Sequence, residues 1–105
     1  MLNSKQRAQL RGLASTEDTI LHVGKNGIID TLIKQVSDAL QARELIKMKV
    51  QDGSMLSAAE AANELAEATK SEVVQVIGNK FVLYKKNLKD PKIILITEKT
   101  KRNKI

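Results

Sequence analysis

Cysteine is missing from this chain altogether, which rules out disulfides, thiol nucleophiles and cysteine-ligated zinc. Tryptophan is missing too, and Phe81 and Tyr84 are the only aromatic residues, so the core has to be aliphatic. A single histidine, His22, is too little for the usual histidine-rich metal centres, and no cofactor is expected. The longest aliphatic run covers residues 93–96, far short of a bilayer span, and the first residues lead into no apolar targeting segment. The expectation is a soluble cytoplasmic monomer with no membrane partner and no small-molecule substrate. Walker-type lysine-serine signatures, nucleophile elbows and credible acid/base pairs are also missing, which argues against an enzyme and leaves no catalytic residue to name.

What remains is enough for a fold. Hydrophobic residues make up 42% of the 105, too many for a disordered chain and about right for one modest domain. The net charge of +6 is unevenly placed. From residue 78 to the end there are nine Lys/Arg against Asp90 and Glu98, a net of +7, leaving −1 for everything before. A polyanion partner met from the C-terminal end is one reading of that skew; a solvated, solubilising tail is the other.

Hydrophobic periodicity predicts the elements in turn. A first helix over 4–14, capped by Ser4, places Arg7 and Arg11 four residues apart on one exposed face. A strand over 19–23 follows, with His22 read as a partly buried strand residue. Ile28, Ile29, Leu32, Ile33, Val36 and Leu40 then recur at helical spacing over 28–42. The strand over 44–50 alternates, with Ile46, Met48 and Val50 on a buried face and Leu45, Lys47 and Lys49 on a face expected to be wet and basic. Ser57 and Glu60 form a capping box that opens an alanine-rich helix, whose Glu60, Glu64 and Glu67 read as a solvated face rather than a metal cluster.

Strands over 72–77 and 80–85 flank Gly78-Asn79, which suits a type II′ or I′ hairpin turn. Alternation sends Phe81 and Tyr84 to opposite faces, one toward the core and the other open to stacking. Beyond Lys86 the pattern weakens. Residues 87–91 are turn-rich, 92–97 form either a short edge strand or an aliphatic clip, and 98–105 read as a flexible basic tail. The order α-β-α-β-α-β-β describes an α/β fold: one compact domain over 1–86 with helices packed on a four-stranded mixed sheet, the last hairpin adding an antiparallel edge, and an extension over 87–105.

Between the first strand and the second helix lies Gly24-Lys25-Asn26-Gly27. Two glycines let another backbone come close, and a helix start beyond them aims free N–H groups and the positive end of its dipole at the turn. That is the physics of a phosphate site. Glycines bracket many strand-to-helix turns for steric reasons alone, so the rest of the chain has to decide.

Across residues 4–86 the sequence resembles the YhbY-like family, the CRM (chloroplast RNA splicing and ribosome maturation) domain. The stretches that carry the resemblance are Gln9-Leu10-Arg11-Gly12-Leu13-Ala14, Val23-Gly24-Lys25-Asn26-Gly27, Ala39-Leu40 with Glu44-Leu45-Ile46-Lys47, and Val74-Gln75-Val76-Ile77-Gly78 with Val82-Leu83-Tyr84-Lys85. The resemblance implies a fold like the C-terminal domain of bacterial translation initiation factor three. It also implies RNA binding through the GxxG loop, as in the KH clamp on backbone nucleotides. Stand-alone bacterial members are associated with precursors of the large ribosomal subunit, and plant relatives with intron splicing. By position, Gly24, Lys25, Asn26 and Gly27 become the RNA-contacting loop, while Arg7, Arg11, Lys47, Lys49, Lys85 and Lys86 are added from charge. The expected function is non-catalytic binding of ribosomal RNA during assembly. The alternative is a module that docks on ribosomal proteins, its glycines serving only the turn.

Overall fold

The computed structural model describes residues 2–89, 91–93 and 95. Its elements are α1 (Ser4–Ala14), β1 (Thr19–Val23), α2 (Asp30–Arg43), β2 (Leu45–Val50), α3 (Ala58–Thr69), β3 (Glu72–Ile77) and β4 (Lys80–Tyr84). Together they form the expected α/β domain with one four-stranded mixed sheet in the order β1-β2-β4-β3. β1 and β2 run parallel with α2 as their crossover, and β4 pairs antiparallel with both β2 and β3. The last hairpin therefore does not simply extend the edge, because its second strand lies inside the sheet. Phe81, Val82, Leu83 and Tyr84 are all buried, so β4 needs cover on both faces, whereas Val76 and Ile77 leave β3 fit for an edge. In the turn between them only Gly78 has positive φ, which selects type II′ over I′.

Helices cover both faces of the sheet. On one, Leu32, Val36 and Leu40 of α2 and Ala61, Ala62 and Leu65 of α3 pack on Ile46, Met48, Phe81 and Leu83. On the other, Leu2, Leu10 and Ala14 sit over Leu45, Val74, Val82 and Tyr84. Each large aliphatic residue buried this way is worth about 1.5–3 kcal/mol. The exposed Lys34–Asp38 pair at 3.7 Å adds only about 0.3–0.5 kcal/mol, so packing holds α2 in place.

The second cluster changes two expectations. Leu45 is buried beneath α1, so the sheet face expected to be wet is open only beyond that helix. Phe81 and Tyr84 do point to opposite faces, but both are buried and neither is available to stack on a base. The cap of α1 also differs. Asn3, not Ser4, accepts from the Gln6 N–H at 2.8 Å, and the Gln6 side chain accepts from the Asn3 N–H at 3.1 Å. The Asn3/Gln6 spacing closes a reciprocal box that a cap at Ser4 does not offer. On α3 the Ser57/Glu60 box forms as expected.

At the end of α2 stands a residue that sequence periodicity had placed at the start of a strand. Glu44 is fully buried with φ 63°, and its Oε1 accepts the N–H groups of Lys92 and Ile93 at 2.6 Å each. Its Oε2 accepts the N–H of Asn87, also at 2.6 Å. This carboxylate ties down the start of the C-terminal extension, and Ile93 and Leu95 pack on the second cluster as an aliphatic clip. Residues 92, 93 and 95 are not in a strand. The rest of the edge strand expected over 92–97, and the basic tail over 98–105, lie outside the described residues. Among the described residues no helix is long and apolar enough to cross a membrane.

Candidate nucleic-acid interface

Gly24, Lys25, Asn26 and Gly27 close a turn in which the Gly27 N–H donates to the Gly24 carbonyl at 3.1 Å. Neither Lys25 nor Asn26 has positive φ, while Gly27 has φ +71°, the pattern of a type I turn ending on glycine. The two glycines thus differ in what the fold asks of them. Gly27 holds a backbone conformation that a side chain would strain. Gly24 does not, and a Cβ there would meet only the flexible Gln51 Oε1, at 3.4 Å. Nothing in the local packing requires glycine at 24. Lys25 lays its stem along the neighbouring 51–54 loop, where its Cε would be 3.5 Å from a Cβ on Gly53.

The turn forms one wall of a depression of about 200 Å³, closed by His22 from β1 and by Ile29, Thr31 and Gln35 at the start of α2. That start is later than periodicity predicts. α2 begins at Asp30 with Ile29 as an N-cap in extended conformation, so two residues separate it from Gly27. Ile29 supplies no capping side chain, which leaves first-turn N–H groups facing outward. Asp30, a carboxylate in the first turn, partly offsets the dipole an anion would meet there. The turn and Lys25, more than the helix end, offer the positive potential.

His22 is exposed, not half-buried as its strand position suggested, because β1 is an edge strand beyond the cover of α1. Cross-strand partners share a face, and the register places His22, Lys49, Lys80 and Ile77 in one row across all four strands. At about 4.8 Å between strands that row spans roughly 14 Å. The next row holds Thr19, Lys47, Val82 and Gln75. Neither row contains a carboxylate. Lys80 was missed by sequence reasoning; only the pairing of β2 with β4 brings it beside Lys49. Arg11 joins them from the last turn of α1.

The other expected site residues lie elsewhere. Arg7 is half-buried, and its guanidinium donates to the Val73 and Val74 carbonyls where the register of β3 shifts. It pins α1 to the sheet, whereas Arg11 one turn later stays exposed. Lys85 and Lys86 follow β4 at the opposite end from Lys80, beside Ser37 and Gln41 of α2. Glu60, Glu64 and Glu67 are exposed on α3, on the other side of the sheet. The backbone N–H and then the hydroxyl of Ser57 hold the Glu60 carboxyl below its ordinary range. Among the described residues no group of three potential metal ligands comes together.

A family model for the CRS1/YhbY (CRM) domain matches residues 2–85. The chain is 41% identical over 95 residues to "Probable RNA-binding protein YqeI" of Bacillus subtilis, covering 90% of this chain and 99% of that protein. It is 33% identical over 84 residues to an RNA-binding protein of Haemophilus influenzae, covering 80% and 85%. Among solved structures it matches a hypothetical Staphylococcus aureus protein, a presumptive RNA binder, with a TM-score of 0.77 and 44% identity. That match covers 91% of this chain and 100% of the other.

Proposed function

The chain belongs to the CRS1/YhbY (CRM) family, and from that premise we propose that it is a non-catalytic RNA-binding protein serving large-subunit ribosome assembly. On this reading it acts in the cytoplasm as a monomer. Residues 1–86 form the RNA-binding unit and 87–105 an extension, of which Asn87, Lys92, Ile93 and Leu95 contact the domain. The loop of Gly24, Lys25, Asn26 and Gly27 receives the phosphate backbone, which then runs over the face carrying Arg11, Lys47, Lys49 and Lys80. Arg7 supports that face from beneath, and Lys85 and Lys86 form a separate cluster within reach of a longer RNA. One observation carries the reading: the glycine turn and its depression adjoin a sheet face that bears several cations and no carboxylate in the two rows running through Lys47 and Lys49.

The test uses Gly24, where substitution costs the fold little. Gly24→Asp should weaken association with total cellular RNA and with large-subunit precursor particles by about tenfold or more, each tenfold being about 1.4 kcal/mol. Gly24→Ala should retain binding, and circular dichroism should be native for both. Unchanged binding by a folded Gly24→Asp would reduce the turn to a structural element. The reading then favoured is docking on a basic ribosomal protein through the α3 side, where Ile28 and Ile33 border Glu64 and Glu67. Association with particles that survives nuclease treatment would mark that case.

A further inference from the structure

The end of the sheet left open by α1 is more than a charged surface. Between the last turn of α1 and the β3–β4 end lies a groove of about 260 Å³. Its apolar wall comes from Ala14, Ile77 and Val82, while Arg11, Lys47 and Lys80 supply three cations and Gln75 an amide. Among the described residues neither the three cations nor the Gln75 amide is engaged in an ion pair or a side-chain hydrogen bond. Ile77 is 62% exposed among the described residues, a large apolar side chain at the mouth of a basic groove. The space falls below the range of drug-sized ligand sites, which matches a single ring system better than a larger ligand.

We propose that this groove holds one unpaired nucleotide of the bound RNA, its base against Ile77 and the Arg11 guanidinium and its phosphates on Lys47 and Lys80. The inference rests on the RNA-binding reading above and adds an occupant, in a place outside the glycine loop. Three features select a nucleotide. The cations call for an anion, the apolar wall calls for a flat weakly polar body, and Gln75 can both donate to and accept from a base edge. With Phe81 and Tyr84 buried, stacking falls to a guanidinium plane, a recognised platform for bases splayed from RNA loops and bulges.

The experiment compares two RNA hairpins with the same stem, one fully paired and one carrying a single bulged nucleotide. Binding is read by fluorescence anisotropy on the full chain. The wild type should prefer the bulged hairpin by roughly tenfold or more, a tenfold preference being about 1.4 kcal/mol. Arg11→Lys keeps the charge and removes the plane. It should weaken the bulged hairpin more than the paired one and so lose most of the preference. Gln75→Ala, which changes no charge, should lower the preference for some bulged bases more than for others. Gly24→Asp should weaken both hairpins together and leave their ratio intact. Equal binding of the two hairpins by wild type, or an undiminished preference in folded Arg11→Lys, overturns the groove and leaves the loop reading standing. No binding of either hairpin overturns both.

Discussion

Tyr84 places a hydroxyl inside the second core cluster, where no described residue hydrogen-bonds to it. Burial first, and then the negative charges of Glu44 and Glu72, push its phenol above the ordinary value of 10.0. The group binds its proton more tightly folded than unfolded. Its titration therefore leaves stability unchanged below pH 10 and lowers it as pH rises above that value, where the unfolded chain ionises first. Tyr84→Phe removes an unanswered polar atom and keeps the ring. It should raise the unfolding free energy by about 1 kcal/mol at neutral pH. In denaturant titrations its advantage over wild type should widen above pH 10; a constant difference would show that the hydroxyl is solvated or paired.

Among the elements, the start of the C-terminal extension is tied by one side chain as well as by packing. Glu44 occupies a positive-φ position that glycine takes more easily, yet its carboxylate collects three backbone N–H groups from Asn87, Lys92 and Ile93. Hydrogen bonds to a charged acceptor are worth about 1.5–3 kcal/mol each. Water recovers part of that once the extension lifts, so Glu44→Ala should cost about 2 kcal/mol rather than the sum of all three. Hydrogen exchange at Asn87, Lys92 and Ile93 should quicken while β2 and β4 stay protected. Glu44→Gln can keep its oxygen on the Lys92 and Ile93 amides only by turning an NH2 toward Asn87, so it should free the Asn87 amide first. Uniform protection in Glu44→Ala would mean that Ile93 and Leu95 hold the extension by packing alone.

For the whole molecule, the sign of the charge follows the sheet and not the chain. Among the described residues, the strongly basic C-terminal part contributes only Lys80 to the open face; Arg11, Lys25, Lys47 and Lys49 come from the part with a net of −1. The acids of that part include Glu60, Glu64 and Glu67 on the far side. With Arg11 on a base, the four lysines meeting phosphates predict that log K for RNA falls against log salt with a slope of about −3. Lys49→Ala or Lys80→Ala should each lower that slope by about one. Lys85→Ala should do so only for RNAs long enough to pass the other end of β4. A slope near zero would remove phosphate neutralisation as the basis of binding.

Local patterns carried much of this protein. The aliphatic periods of α2, the Ser57/Glu60 box, the alternation of Ile46, Met48 and Val50 and the Gly78 turn each depend on neighbours a few residues away, and so they were legible before any fold was known. The glycine turn was legible for the same reason, though not that only Gly27 needs its missing side chain. Tertiary structure decided everything that depends on which strands lie side by side. The insertion of β4 between β2 and β3 buried both aromatics, brought Lys80 to Lys49 and left His22 on an open edge. Packing of α1 turned Arg7 inward and left Arg11 outside. Glu44 shows the limit most plainly, because the groups that explain it are more than forty residues away in sequence and meet it only when α2 and the extension dock at one end of the sheet.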